Sequence, residues 1–554
     1  MRKFSVAFFI FILSVSLITG CSSSSTPPDQ TSKEPQTTQE TQGKKVLRLS
    51  VSSDLTTLDS SLAVDVQAFD VIGNTNLGLF TLEGGNKIGN GMVENYKKSD
   101  DGLQYVFTLR KDAKWSNGDA VTAHDFEFSW KRMANPKTGS QTTFLLETTR
   151  MKNASAILKG EKPVEELGVK ATDDYTLEVE LDSPVPFFLS VITSPIFSPI
   201  NEKFFNEKGD KYGTSIDNLL FSGPYVLSKW QTEYEYVLTK NEQYFDKANV
   251  DIDAIHFKVV KDPNANLNLY ETGELDSIQL VGEQAAQYLD DPNVVTSSTS
   301  YVNILDLNHK NKIFSNVSAR KAFAYAIDKT FIAEEILKDG AKPADYFIPD
   351  NFVKGPDGKE FRETAGTYNH FDPQKAMEYW TKAKQELGVD KIEVKLSTSD
   401  NDTSKKIAEY VQSQLEKNLE GLKVSIEQVT LKILTDKQLG GDYDFAYAGW
   451  GADYADPLTL LTIYLSNNEI NTGKYKNPEY DKIIQSVQQV PLATNPEERW
   501  NELQKAEKIL MEDDAVIIPI VQKGKLTLTN PYVKNMQLNT FSPSYYFKNV
   551  KIEK

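Results

Sequence analysis

The 554-residue sequence predicts a mixed fold of strands and helices, α/β or α+β, divided into several lobes. Alternating, strand-like runs dominate the first half, and helical periodicity strengthens in the second. The length is the third observation: at about 150 residues per unit it suggests three or four units. Composition is ordinary for a globular chain, 39% hydrophobic and 25% charged. No internal repeat of about 20–50 residues is visible.

The chain opens with an address. Arg2 and Lys3 precede an apolar run from Phe4 to Ile18 interrupted by three serines. A fixed charge before a hydrophobic stretch too short for a comfortable membrane span reads as a secretory signal, residues 1–20, with an uncleaved anchor as the alternative. Ile18-Thr19-Gly20-Cys21 resembles the bacterial lipobox. That resemblance implies diacylglycerol on the Cys21 thiol, cleavage of the preceding bond and anchoring in a membrane by acyl chains. Cys21 is the sole cysteine, so an intrachain disulfide, a CxxC redox pair and a thiolate zinc site are all excluded. Residues 22–45 are rich in Ser, Thr, Gln and Pro and offer nothing large to pack, which predicts a disordered tether of roughly 25–30 Å.

Order is expected from Val46, where Val46–Val51 alternates as a strand. Tyr105, Phe107 and Leu109 form the apolar face of another. Leu167–Lys170 and Leu177–Leu181 flank Asp173-Asp174 as a hairpin. Ile407, Val411, Leu415 and Leu419 lie on one helical face. Asn495-Pro496-Glu497-Glu498 supplies an N-cap, a proline at the first helical position and a capping-box glutamate, ahead of Trp500, Leu503 and Leu510. A strand follows at Val516–Val521.

Charge narrows the partners. Lys and Arg number 61 and Asp and Glu 78, a net charge of −17, and about −19 once residues 1–20 are removed. So acidic a body repels phosphate backbones, which argues against nucleic acid, and attracts cationic or amine-bearing solutes. A mean hydropathy of −0.44 rules out a multi-span membrane protein. The four histidines include no i,i+4 pair and no HExxH, so no metal site is expected. Gly84, Gly85, Gly89 and Gly91 lack phosphate-loop spacing and read as a turn. There is neither GxSxG nor SxxK, and no residue is assigned a catalytic role. A hydrolase using a carboxylate pair stays open only because acids are numerous.

The informative segment is Tyr443–Pro457. An alternating strand ends in small residues that admit another backbone, and two acids three apart follow. Asp456-Pro457 reads as an N-cap with proline at N1. Asp453 is not needed for that cap and reads either as a turn aspartate or as a ligand carboxylate.

Here the chain resembles the oligopeptide-binding members of the extracellular solute-binding proteins that serve ABC importers, from about Val46 onward. The resemblance rests on Thr108–Phe126 (TLRKDAKWSNGDAVTAHDF), Phe221–Tyr225, Asn241–Phe245, Ser318–Phe323 with Ala326–Lys329, and Gly449–Pro457 (GWGADYADP). Within the first block Trp115 and Phe126 read as core, Asn117-Gly118 as a turn and His124 as a satisfied structural histidine.

The resemblance implies a periplasmic-binding-protein-like (Venus flytrap) α/β fold: two lobes joined by two crossover strands, with an additional third lobe. Lobe I would comprise 46–76, 194–303 and 524–554, the extra lobe 77–193, and lobe III 304–523. It further implies an extended peptide paired as an added strand, with Asp453 meeting the α-ammonium. Tyr447, Gly449, Trp450 and Gly451 would offer backbone groups, and Val66-Gln67-Ala68 would contact the peptide from the opposite lobe. No cofactor is implied. The expected partners are an oligopeptide, possessing signalling pheromones among its range, an ABC permease and the membrane through the lipid anchor, for a monomer at the extracellular face of the bacterial cell membrane. Same-fold binders of nickel chelates, glutathione or oligosaccharide are the nearer alternatives, and Asp453 favours amine-bearing ligands over sugars.

Overall fold

The largest sheet has eleven strands, and its two longest members lie side by side at the centre. The structure, a computed structural model, describes residues 43–554. The signal, Cys21 and the tether up to residue 42 lie outside the described residues. Edge to edge the sheet runs Leu422–Val429, Ile392–Ser399, Phe445–Trp450, Val294–Leu307, Ile517–Thr529, Ser277–Leu280, Val46–Val51, Ala254–Val259, Glu235–Lys240 and Tyr225–Gln231. Lys342–Pro343 adds to Ile517–Thr529 outside that path.

Each half of the sheet is built by the same logic. Leu47 and Leu49 point into a core from one face of Val46–Val51, which runs parallel to Ala254–Val259. At the other end Ile392–Ser399 and Leu422–Val429 are parallel and joined by the helix Asp402–Asn418. A parallel pair needs such a crossover. Asn401 caps the helix by accepting the Ser404 N–H at 2.8 Å, and Ile407, Val411 and Leu415 are buried beneath it. The stripe expected from sequence is therefore the face that covers the sheet.

Val294–Leu307 and Ile517–Thr529 pair antiparallel along most of their length and carry the chain between the two halves. Their register breaks between Ser298 and Val302 and again between Asn303 and Ile304. Gly524 sits at the first break, where an added Cβ would meet the Gly340 carbonyl carbon at 2.3 Å. Only glycine lets the backbones approach so closely.

A separate four-stranded antiparallel sheet contains Val93–Lys98, Gln104–Leu109, Thr176–Glu180 and Val169–Asp173, in that order. The last two form the expected hairpin, with the Asp173 carboxylate accepting the Tyr175 N–H at the turn. Trp115, Phe126 and Trp130 are fully buried beside it, in one core shared with the Val46–Val51 half of the large sheet. Two further cores lie on opposite sides of the other half, one around Phe323, Trp380 and Val411, the other around Tyr464, Tyr480 and Leu503.

The remaining sequence readings meet the structure with small differences. Gly84 and Gly85 form the turn of a hairpin, Phe80–Glu83 with Lys87–Asn90. Asn495 accepts the Glu498 N–H ahead of the helix Pro496–Lys508, while the return bond of a capping box is not made. His124, expected to be a satisfied structural histidine, lies exposed at the surface 3.5 Å from Asp174 and makes no side-chain hydrogen bond among the described residues. Among the described residues no helix is long and apolar enough to cross a membrane.

Candidate functional site

Tyr447–Trp450, the end of the strand Phe445–Trp450, is paired on one edge only. On its inner edge Phe445–Trp450 pairs residue by residue with Leu307–Val302. On its outer edge only Phe445 and Ala446 are paired, with Leu396 and Ser397, and the pairing ends there although Ile392–Ser399 runs on to Ser399. From Tyr447 to Trp450 the outer backbone N–H and C=O groups thus have no strand partner among the described residues. An unpaired strand edge is a template for another extended chain. Tyr447 is buried, while Gly449, Trp450 and Gly451 are half-buried.

The two glycines have a specific neighbour. Tyr301, across the register on Val294–Leu307, lays its ring against them. A Cβ on Gly449 would stand 2.4 Å from its Cε1, and one on Gly451 3.2 Å from its Cδ2. The sequence reading expected close approach of a backbone here; the structure places an aromatic ring instead. Pairing between residues so far apart in the chain left no local signal of it. The Lys523 ammonium sits over the same ring, 4.2 Å from its centre. Among the described residues no carboxylate lies within ion-pair distance of it, and burial holds its pKa below the usual lysine range.

Beyond the strand the chain turns through Asp453–Asp456. Asp456 accepts the Leu458 N–H at 3.0 Å, and its two oxygens accept both Arg499 Nη groups at 2.8 Å. The helix begins at Leu458, so Pro457 stands at the cap and Asp456 one residue before it. The assignment of Asp456 to structure holds, and the buried Arg499 pair adds a stronger reason than the cap.

Asp453 is different. Its backbone N–H donates to Thr459 Oγ1 at 3.0 Å, but its carboxylate has no hydrogen-bond or ion-pair partner among the described residues. Water reaches the side chain, yet the surrounding protein is dense enough that desolvation pushes the carboxyl up to about 6. An accessible carboxylate with its solvation reduced and no internal partner suits an external cation.

Val66, Gln67 and Ala68 form the first turn of the helix Val66–Thr75. Ala68 is fully buried and its N–H donates to the Asp65 cap at 2.8 Å. Val66 and Gln67 line a cavity of about 410 Å³ with Asp70, Lys525 and Tyr545. Asp70 accepts the Ser544 N–H, and burial raises its carboxyl to about 6. Lys525 lies two residues from Lys523 on the same strand, 5.2 Å from the Tyr545 ring centre. Neither lysine was singled out from sequence, because an isolated lysine in a strand carries no motif.

A larger cavity, about 850 Å³, lies by Phe128, Arg132, Phe205 and Tyr212. Its inner charges satisfy one another: Arg132 donates to both Asp59 oxygens at 2.6 and 2.7 Å, and Lys131 pairs with Glu127.

With this geometry in place, the comparisons with known proteins are specific. Residues 87–472 match the family described as bacterial extracellular solute-binding proteins, family 5 middle. The dipeptide-binding protein DppE of Bacillus subtilis is 32% identical over 497 residues, covering 90% of each chain. A solved substrate-binding domain of an oligopeptide ABC transporter from Bacillus anthracis is 40% identical with a TM-score of 0.74, covering 92% of this chain and 99% of that one. The solved pheromone receptor PrgZ, whose mode of peptide binding has been described, is 32% identical with a TM-score of 0.74, covering 92% of this chain and all of the other. The chain belongs to the family 5 extracellular solute-binding proteins, and its mixed α/β architecture is that of the periplasmic binding proteins of ABC importers.

Proposed function

We propose that this protein is a lipid-anchored receptor that captures extracellular oligopeptides between two closing lobes and delivers them to an ABC permease. The observation that carries the reading is the open outer edge of Tyr447–Trp450 leading into the unpartnered carboxylate of Asp453. An extended peptide added to that edge makes main-chain hydrogen bonds whatever its sequence. Its α-ammonium then meets Asp453, forming a charge-assisted pair. Val66 and Gln67 approach the same peptide from the lobe formed by 46–76, 194–303 and 524–554, with 304–523 as the second ligand lobe and 77–193 as the extra one.

The peptide-binding relatives support this ligand class, and the likeness to a pheromone receptor supports a signalling peptide within it. Membrane attachment rests on Cys21 and the lipobox-like residues before it. Native mass spectrometry of the purified protein, followed by calorimetry with alanine peptides of two to five residues, tests the reading. Co-purified peptides and binding without turnover are expected. Hydrolysis of the peptides, or no binding to any of them, overturns it. Cys21→Ala is expected to release the protein from membranes or leave a precursor; mature, acylated, membrane-bound Cys21→Ala protein contradicts the anchor.

A further inference from the structure

The turn Asp453–Asp456 is held from outside at every residue except at the Asp453 side chain. Tyr454 stacks on Phe187, ring centres 4.7 Å apart and planes 12° from parallel. The Ala455 N–H donates to Ser190 Oγ at 3.3 Å. Asp456 is clamped by Arg499, whose guanidinium also lies 5.7 Å from the centre of the Phe187 ring.

Phe187 and Ser190 belong to the 77–193 segment, and their partners to the ligand turn. The two rings interlock two cores. Tyr454 is the single member of 304–523 in the core built from the 46–303 region and the C-terminus, whereas Phe187 packs against the core of Tyr464, Tyr480 and Leu503. Nearby, Arg150 donates to Gln488 at 3.2 Å across the same junction.

We propose that Phe187 and Ser190 are positioning residues for the Asp453 carboxylate, so that the 77–193 segment sets the affinity for a free peptide amino terminus by acting through Tyr454 and Ala455. This rests on the reading of Asp453 as the ammonium partner. A charge-assisted bond depends on where its carboxylate is held, and the Asp453 carboxylate makes no bond within the described residues; its residue is tied only through the backbone N–H, which donates to Thr459 Oγ1 at 3.0 Å. The stack one residue away and the backbone bond two residues away supply that fixation. The extra segment thereby becomes part of ligand recognition.

Calorimetry with tetra-alanine and N-acetyl-tetra-alanine separates this role from a general one. The wild type is expected to favour the free amine by about 30-fold or more. In Phe187→Ala that preference should fall at least fivefold, with the acetylated peptide changing less than about twofold. Ser190→Ala should shift it in the same direction, and Phe187→Tyr, which keeps a ring to stack, should retain it. A preference unchanged in both Phe187→Ala and Ser190→Ala overturns the proposal, whatever happens to the absolute affinities. If Phe187→Ala fails to fold, Ser190→Ala and Phe187→Leu decide it by the same ratio. A wild type without any preference overturns the Asp453 reading itself and this inference with it; a wild type with preference beside indifferent variants removes only the positioning role.

Discussion

The ring of Tyr301 lies so close to Gly449 that a β-carbon there would stand 2.4 Å from Cε1. The ring lies between the end of the strand Phe445–Trp450 and the Lys523 ammonium, touching both. Gly449→Ala should therefore push Tyr301 aside and disturb the strand edge where a peptide would pair. An overpacked site of this kind costs about 1–3 kcal/mol. Thermal unfolding should show that loss and calorimetry a weakened peptide. Gly451→Ala, with 3.2 Å of clearance, should do less of both. Equal, negligible effects at the two positions would mean that the ring moves freely.

Arg499 and Asp456 form a buried bidentate pair at 2.8 Å. Removing the cation alone leaves a buried carboxylate without its counter-charge. Arg499→Ala should cost about 3–5 kcal/mol in urea unfolding. A loss below about 1 kcal/mol would show that water reaches and solvates Asp456, contrary to the burial seen here.

The pH dependence of binding follows from Asp453, which desolvation raises to about 6. Only the ionised carboxylate pairs with an ammonium. Affinity should be highest between about pH 6.5 and 7.5, where the carboxylate is ionised and the peptide amine still protonated, and fall by up to about tenfold per unit as pH drops below 6. The unliganded fold has the opposite sign. Its raised carboxyl binds a proton more readily than in the unfolded chain, so this group's contribution to stability is full below the ordinary aspartate range and is lost as pH rises through 6. Asp453→Asn should flatten the binding profile between pH 5 and pH 7; an unchanged profile would place the titrating group elsewhere.

The proposed closure of the lobes is testable in solution. The long strands Val294–Leu307 and Ile517–Thr529 carry register breaks at Ser298/Val302 and Asn303/Ile304, where bending costs the fewest ladder bonds. Small-angle scattering should give a smaller radius of gyration with saturating peptide than without. An unchanged envelope would point to a preformed pocket.

Local patterns in the sequence carried far. The helix Asp402–Asn418 was visible in its apolar spacing, and the Asp173-Asp174 hairpin in its turn residues, because both are set by neighbours in the chain. Asp453 stood out because Asp456-Pro457 already accounted for the cap. What stayed hidden depends on partners far apart. Tyr301 over Gly449, Arg499 beneath Asp456 and Phe187 against Tyr454 join residues from different parts of the chain, and no local periodicity encodes them. The open edge of Tyr447–Trp450 was equally illegible, since it depends on where pairing with Ile392–Ser399 ends.

The central claim is that Asp453 binds the peptide α-ammonium, and a four-way calorimetric cycle tests it most directly. The cells hold wild type and Asp453→Asn, each with a free-amine alanine peptide and its N-acetylated form. Losing one partner of such a pair typically costs about 2–5 kcal/mol, roughly 30-fold to several thousand-fold in affinity. Each single change should weaken binding by that order, and the double change by little more than either, because both delete one interaction. If Asp453→Asn binds the free-amine peptide within about threefold of wild type, less than 1 kcal/mol, the ammonium is held by another group and the account fails.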